Sequence, residues 1–231
     1  MTAATMNRRD FSLRAAQAAG VLAAGVGSWP AMAQAQQPAA GTGAVRPLVL
    51  VVGDSLSAEY GLKRGEGWVP LLQQRLEKEK VRAGVVNASI SGDTTAGGRA
   101  RLPGLLAQHR PDVVVLELGA NDALRGLPLA GTEDNLLQMT QAAQKIGARV
   151  LLVGIQVPPN YGADYTRRFG EIFPRVAEKT KAARVPFLLA GVADAPDAAS
   201  LFQADRIHPN AGAQARMLDN VWPELRKLLA K

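Results

Sequence analysis

Val-Val-Gly-Asp-Ser-Leu-Ser, residues 51–57, is the stretch that decides the fold. It continues the apolar run Pro-Leu-Val-Leu at residues 47–50, so residues 48–52 are predicted to form a buried strand that ends at Gly53. In an open α/β sheet, ligands bind outside the carboxyl ends of the strands. A serine hydroxyl at such an end is a candidate nucleophile once a base takes its proton. Ser55 is therefore the first candidate catalytic residue.

Short apolar runs alternate with segments of helical periodicity over the rest of the chain. The predicted strands are residues 48–52, 84–87, 112–118, 149–155 and 185–189. The predicted helices are residues 66–80, 97–109, 132–146, 164–183 and 210–229. This alternation is typical of a parallel sheet that helices cover on both faces. We therefore predict an α/β protein, a three-layer α/β/α sandwich with a five-stranded parallel sheet and no second domain.

Single residues predict where the helices begin, bend and end. A helix is expected to start near Pro103, and Pro174 is expected to break or kink a later one. Thr132 is the expected N-cap of the third helix, and Gly147 its expected stop. His109 is expected at a helix C-terminus, where the helix dipole favours it.

Residues 1–33 are predicted to be an export signal rather than part of the fold. Residues 7–13, Asn-Arg-Arg-Asp-Phe-Ser-Leu, are typical of a twin-arginine signal. The uncharged stretch 15–27 that follows is too short and too weakly hydrophobic to span a bilayer permanently. Small residues allow cleavage after Ala33 or after Ala35. An uncleaved N-terminal anchor is the alternative, but cleavage predicts a periplasmic or secreted protein.

Composition limits the classes of function for the domain at residues 47–231, which follows a flexible lead-in at residues 34–46. Because the chain has no cysteine, disulfides and cysteine chemistry are excluded. A formal net charge of +7 without a basic, aromatic-rich run predicts no nucleic-acid binding and at most weak peripheral contact with membranes. The sequence has no phosphate-binding loop and no paired histidines, so we expect neither a cofactor nor a metal.

Polar segments follow four of the five predicted strands, and these strand ends share one edge of the sheet. The segments are residues 53–55, 87–93, 119–122 and 205–208. The last of them contains His208, one of two histidines in the chain, three residues after Asp205. One loop therefore supplies both a candidate base and a carboxylate that could orient it.

In this order the segments resemble the SGNH (GDSL-type) hydrolases, most closely the bacterial multifunctional thioesterase I, lysophospholipase L and arylesterase group. The matching residues are Ser55, Gly92, Asn121 and His208, and they lie within residues 53–58, 86–94, 117–126 and 207–210. The resemblance covers essentially the whole chain that would remain after cleavage. It implies the flavodoxin-like form of the α/β/α sandwich.

The resemblance also implies a role for each residue. Ser55 would be the nucleophile, His208 the general base and Asp205 the residue that orients the imidazole. The backbone N–H groups of Ser55 and Gly92 and the side-chain amide of Asn121 would stabilise the oxyanion. The expected reaction is hydrolysis of carboxylic esters and thioesters through an acyl-enzyme, with aryl esters, fatty acyl thioesters and lysophospholipids as substrates. Such small-molecule or lipid esters are the expected partners of a monomer.

Plainer interpretations exist for these residues. Ser55 could be a helix N-cap, and Gly92 and Asn121 could be ordinary turn residues. Asp54 and Asp122, like Asp93, are interpreted as loop braces that accept backbone N–H groups. For the protein as a whole, the alternatives are a carbohydrate acetyl esterase of the same fold and a non-catalytic exported binding module.

The sequence does not decide the roles of two loops and one acidic residue near the predicted site. Residues 124–129 are apolar, and they are either a mobile substrate-gating loop, as the resemblance implies, or an ordinary packed edge loop. Residues 158–162 are expected at the same edge, where apolar walls would suit an acyl chain. Glu59 stands near the nucleophile where the resembling group has a small residue, and it would affect substrate choice if it pointed into the pocket.

Overall fold

The computed structural model describes residues 46–157 and 159–230, and the predicted export signal lies outside these residues. The strands are β1 (Leu48–Gly53), β2 (Gly84–Asn87), β3 (Val113–Glu117), β4 (Arg149–Val153) and β5 (Ala183–Val185). The helices are α1 (Trp68–Lys78), α2 (Thr95–His109), α3 (Ala120–Leu124), α4 (Leu129–Lys145), α5 (Ala163–Gly170), α6 (Ile172–Thr180), α7 (Ala198–Leu201) and α8 (Gln214–Leu229).

The strands form a five-stranded sheet in the order β2-β1-β3-β4-β5, and all neighbouring pairs are parallel. Helices α1 and α8 pack together on one face, and α2, α4 and α6 pack on the other. The predicted three-layer sandwich is therefore confirmed. Strands β1 and β3 are the most deeply buried, because every residue of 49–53 and 113–117 is enclosed by both helix layers.

The order of the strands places a crevice between β1 and β3. The chain leaves β1 towards β2 on one side and later returns to β3 on the other, so the loops after β1 and β3 diverge. In doubly wound sheets such a switch point is where ligands bind. Ser55 follows β1 and Asn121 follows β3, so both residues flank this crevice.

Two predicted helix starts are wrong. Helix α2 begins at Thr95 rather than near Pro103, because Thr94 accepts the backbone N–H of Gly97 and caps the helix eight residues earlier. Helix α4 begins at Leu129, so Thr132 is not its N-cap. The Thr132 hydroxyl lies inside the helix and donates to Asp122 Oδ1 at 3.3 Å. The other two termini agree with prediction: α2 ends at His109, and Gly147 follows α4.

Proline explains two further differences. The predicted helix 164–183 is two helices, α5 and α6, but the break lies at Glu171 and Pro174 lies in the first turn of α6. A proline in a first turn leaves no hydrogen bond unmade, so it is tolerated there. The last strand is Ala183–Val185 rather than residues 185–189, because Pro186 has no N–H for the sheet and the chain turns away after Val185.

No helix within the described residues is long and apolar enough to cross a membrane.

Candidate active site

A hydrogen-bonded chain of three side chains lies at the carboxyl edge of the sheet. Ser55 Oγ is 3.0 Å from His208 Nε2, and His208 Nδ1 is 2.7 Å from Asp205 Oδ2. Ser55 lies in the turn directly after β1, whereas His208 and Asp205 belong to the loop before α8, 153 residues further along the chain. The fold therefore brings together the three residues that the sequence singled out as nucleophile, base and orienting acid.

The environment of Asp205 determines which nitrogen of the imidazole carries the proton. Asp205 Oδ1 accepts the backbone N–H groups of His208 and Ile207, at 3.0 and 2.9 Å. These bonds, together with the imidazole, lower the pKa of Asp205 to about 2. An ionised carboxylate can only accept, so Nδ1 of His208 must donate to it. Nε2 is then the acceptor for the Ser55 hydroxyl, as a general base requires.

The two backbone N–H groups that are expected to stabilise the oxyanion have no internal partners in the described part of the chain. Neither Ser55 N–H nor Gly92 N–H has an acceptor within residues 46–157 and 159–230. Gly92 has a φ of +79°, a conformation that strongly favours glycine. Donors that are left unpaired at the mouth of a cleft are available to a developing oxyanion.

The side-chain amide of Asn121 is in a different state. Its Nδ2 donates to Asp54 Oδ2 at 3.1 Å and to the carbonyl oxygen of Asp93 at 3.0 Å. Both hydrogens of the amide therefore have acceptors in the unliganded protein. Asn121 can bind an oxyanion only by sharing or exchanging one of these bonds.

A buried polar network contacts the turn after β1 that carries Ser55 (the nucleophile turn), and the sequence analysis did not predict it. Glu117, the last residue of β3, is fully buried and accepts the hydroxyl of Ser57 at 2.7 Å and the backbone N–H of Asp54 at 3.4 Å. Trp68 Nε1 donates to Ser57 Oγ at 3.2 Å. A Cβ at Gly53 would lie 2.8 Å from Glu117 Oε2, so the carboxylate needs a glycine above it. The signal in the sequence was a glutamate at the end of a strand that is otherwise apolar.

Burial raises the pKa of both carboxyl groups in this network. The pKa of Asp54 rises to about 6. The pKa of Glu117 rises well above its ordinary value, through burial and then through repulsion from Asp54. Burial and the repulsion between the two carboxylates both favour the protonated form of Glu117, next to the turn that carries Ser55.

The three aspartates interpreted as loop braces all accept backbone N–H groups. Asp54 accepts from Leu56, Asp93 from Thr94, and Asp122 from Thr95 at 2.8 Å. The last bond joins the segment after β3 to the start of α2. Asp93 also pairs with Arg101. The aspartates thus connect the segments that carry Ser55, Gly92 and Asn121.

A largely apolar cleft of about 500 Å³ opens beside Ser55. Its apolar walls include Ile155, Val157, Phe187, Leu189 and Phe202, and its other lining residues include Ser55, Asn121, Asp194, Arg206 and His208. After β4, residues 155–157 line the cleft, directly before the segment 158–162 that was predicted to do so. Pro158 itself lies outside the described residues.

The segment 124–129 reaches the site at two points. Leu124 lines the cleft, and Arg125 Nη2 donates to the carbonyl oxygen of Gly92 at 2.8 Å. Leu124 and Leu127 are half exposed rather than packed in the core. Whether this segment gates the cleft stays a prediction.

Glu59 does not line the cleft. Its Oε1 accepts the backbone N–H groups of Gly65 and Gly67 at 2.8 and 2.9 Å, and its φ is +59°. The carboxylate therefore closes the loop between the nucleophile turn and α1. The sequence left the orientation of Glu59 open, and these bonds turn its side chain towards its own loop.

Hydroxyl, imidazole and carboxylate bonded in this order are the arrangement of a serine hydrolase. The family model of the GDSL-like lipase/acylhydrolases matches residues 51–216. The chain belongs to this family, and the predicted family and ester-hydrolase class are confirmed.

Named relatives agree with this membership. Over 181 residues, the chain is 54% identical to "Esterase TesA" of Pseudomonas aeruginosa, covering 78% of this chain and 89% of the relative. It is 41% identical to "Thioesterase 1/protease 1/lysophospholipase L1" of Escherichia coli K12, covering 78% and 84%. A crystal structure of the esterase EstA from Pseudoalteromonas sp., inhibited by monoethylphosphonate, is similar with a TM-score of 0.75 at 39% identity, covering 80% and 99%.

Proposed function

We propose that the protein hydrolyses aryl esters, fatty acyl thioesters and lysophospholipids through an acyl-enzyme on Ser55. The observation that carries the proposal is the 3.0 Å contact between Ser55 Oγ and His208 Nε2 at the mouth of an apolar cleft. An apolar cleft of this size suits an acyl chain. The names of the relatives, esterase and thioesterase 1/lysophospholipase L1, support the substrate classes.

In the first half-reaction, Ser55 Oγ attacks the carbonyl carbon of the ester while its proton moves to His208 Nε2. The carbonyl oxygen becomes an oxyanion, which accepts from the N–H groups of Ser55 and Gly92 and from the amide of Asn121. The bond to the leaving alcohol or thiol then breaks, and the leaving group takes the proton from His208. Asp205 stabilises the imidazolium throughout.

In the second half-reaction, a water molecule takes the place of the leaving group. It gives one proton to His208 Nε2 and its oxygen attacks the acyl carbon. The bond to Ser55 Oγ breaks, the hydroxyl recovers the proton, and the carboxylic acid leaves. All steps use the same donors, so one site serves esters and thioesters.

Replacement of the proposed nucleophile tests this function. Ser55→Ala should lower kcat on p-nitrophenyl, acyl-thioester and lysophospholipid substrates by about 10⁴-fold or more, because no other hydroxyl can form the acyl-enzyme. Ser200→Ala, at an exposed serine in α7, is the matched control and should retain full activity. A fluorophosphonate should label the wild type and the control but not Ser55→Ala.

Substantial activity in Ser55→Ala would remove Ser55 from the mechanism. Activity confined to acetylated xylan would replace the substrate class with that of a carbohydrate esterase. Absence of both turnover and labelling in the wild type would favour the binding module. Turnover should depend on pH if an imidazole acts as the base, so a flat profile from acid to neutral pH would contradict the role of His208.

We also propose that the chain is exported and acts as a monomer on these small or lipid esters, with at most weak membrane contact. The twin-arginine pattern at residues 7–13 and the small residues before the cleavage positions support export.

A further inference from the structure

Tyr60 contacts the imidazole of His208. The two ring centroids are 4.3 Å apart and the ring planes are inclined by 41°. The Tyr60 side chain is 49% exposed, although large apolar surfaces are normally placed in the core. Its hydroxyl has no hydrogen-bond partner in the part of the chain that the structure describes. The contact with His208 is therefore made by the ring and not by the hydroxyl.

The backbone around Tyr60 is held in an uncommon shape. Its two neighbours, Glu59 and Gly61, both have left-handed backbones, with φ of +59° and +70°. A glutamate in this region carries strain, which persists only where surrounding contacts impose it. Here the contacts are the bonds from Gly65 and Gly67 to the Glu59 carboxylate. Paired left-handed residues turn the chain sharply on either side of Tyr60.

Gln203 ties this turn to the loop that carries His208. Its Nε2 donates to the carbonyl oxygen of Tyr60 at 2.8 Å and to that of Pro209 at 3.2 Å. Gly61 leaves room for this amide, because a Cβ at position 61 would collide with Gln203 Oε1. One side chain thus sets the position of Tyr60 relative to the residue next to His208.

The imidazole of His208 is held by hydrogen bonds at both ring nitrogens. Asp205 binds Nδ1 at 2.7 Å, and Ser55 binds Nε2 at 3.0 Å. Rotation of the ring about its Cβ–Cγ bond would move both nitrogens away from these partners. The Tyr60 ring, whose centroid lies 4.3 Å from that of the imidazole, adds a contact that opposes this rotation.

We propose that Tyr60 is a positioning residue, which packs against the face of His208 and holds its Nε2 in line with Ser55 Oγ. The proposal rests on the proposed function of Ser55 and His208. Gln203 and the left-handed pair at positions 59 and 61 keep Tyr60 in place. The aromatic face also attracts the imidazolium that forms during the reaction.

Kinetics of two Tyr60 variants test the proposal. Tyr60→Ala should lower kcat on a p-nitrophenyl ester about 10-fold with KM within about twofold, because a misplaced base slows chemistry more than binding. The rate of fluorophosphonate labelling should fall in parallel. Tyr60→Phe should keep kcat within about twofold, since the hydroxyl is not used. Ile146→Ala, at an equally exposed residue at the other edge of the sheet, controls for loss of surface side chains.

Gln203→Ala provides a second line of testing that leaves the Tyr60 ring intact. It should lower kcat in the same direction, by about threefold to 10-fold, again with little change in KM. Unchanged kcat in Tyr60→Ala, a loss confined to KM, or a Tyr60→Phe variant as slow as Tyr60→Ala would each overturn the proposal. Failure of the proposed function would be distinct, because Ser55→Ala would then stay active.

Discussion

Two cavities of about equal volume lie at opposite edges of the sheet, and they differ in the chemistry they contain. The cleft at the carboxyl edge and a groove between α2 and α4 at the amino edge each enclose about 500 Å³. The groove is lined by Leu106, Ala142, Ile146 and similar residues, with Arg110 and Lys145 among them. The cleft instead contains a hydroxyl bonded to an imidazole. Volume alone therefore does not identify the site; converging polar groups do.

Residues with a left-handed backbone occur at both edges of the sheet, but in different structural contexts. Among the described residues, five that are not glycine have positive φ. Lys80, Arg110 and Lys181 follow helices at the amino edge, where a left-handed residue simply ends the helix. Glu59 and Arg206 lie at the carboxyl edge, next to Tyr60 and between Asp205 and His208. At that edge the left-handed residues lie in the loops that carry Tyr60, Asp205 and His208.

The largest expected effect comes from removing a side-chain amide at the carboxyl edge and a comparable amide at the amino edge. Asn121→Ala should lower kcat by about 100- to 1,000-fold, because it removes the amide that we propose as an oxyanion donor. Gln144, at the amino edge, donates similarly to the carbonyl oxygen of Thr180 at 2.8 Å. Gln144→Ala should lower the free energy of unfolding by about 1 kcal/mol and leave kcat unchanged. Steady-state kinetics and urea unfolding measure both quantities, and equal kinetic effects would erase the distinction.

The buried carboxyl pair below Ser55 should make stability depend on pH. The raised pKa values of Asp54 and Glu117 let the folded state keep protons that the unfolded state loses near pH 4. Stability should therefore fall as the pH rises from about 4 through about 6, the folded pKa of Asp54. Glu117→Gln should reduce this fall, by on the order of 1 kcal/mol.

Urea unfolding between pH 4 and pH 8 measures this dependence. Glu133 is a suitable control, because its pKa is lowered by the hydrogen bond from Arg175 and by Lys179. The contribution of Glu133 to the free energy of unfolding is present above its unfolded pKa and is lost only as the pH falls below about 4. Glu133→Gln should thus leave the fall between pH 4 and pH 6 in place. If the stability of Glu117→Gln fell with pH as steeply as that of the wild type, the carboxyl pair would not be the cause of the pH dependence.

The smallest expected effects come from replacing a left-handed residue with glycine at each edge. The change in the free energy of unfolding should be positive at one edge and negative at the other. Lys181→Gly should raise the free energy of unfolding by about 0.5–1 kcal/mol, because glycine accepts this backbone without strain. Glu59→Gly relieves similar strain but loses the acceptor of Gly65 N–H and Gly67 N–H, so it should lower the free energy by about 1 kcal/mol. Stabilisation by both substitutions would mean that the Glu59 bonds contribute little.

The alternation of strands and helices was predictable because the strands are short, mainly apolar runs and the segments between them have helical periodicity. Boundaries were less predictable where two local signals competed. Pro103 predicts a helix start, whereas the helix starts after the side-chain cap that Thr94 provides. A break or kink was expected at Pro174, whereas the helix breaks at Glu171; the predicted last strand ran through Pro186, whereas the observed strand ends just before it. A proline has no backbone N–H, and this affects the structure only at positions where that N–H would otherwise donate a hydrogen bond.

The buried support of the nucleophile turn lay beyond sequence reasoning. Glu117 could be noticed as a charge at the end of an apolar strand, but its partners Ser57 and Trp68 are set by how α1 packs on β1 and β3. The position of Tyr60 against His208 likewise needs a contact between loops that are nearly 150 residues apart. Neither the pattern nor the composition of a single segment encodes such a distance.

The sequence by itself determined the sheet, the family and the residues that could react, because apolar periodicity and short polar segments at strand ends are local properties. Only the tertiary structure decided that Ser55 Oγ and His208 Nε2 lie 3.0 Å apart, that Glu59 faces its own loop, and that a tyrosine covers the imidazole. These are relations between distant segments. They arise from the packing of the layers and the order of the strands, which place loops from both ends of the chain at one crevice.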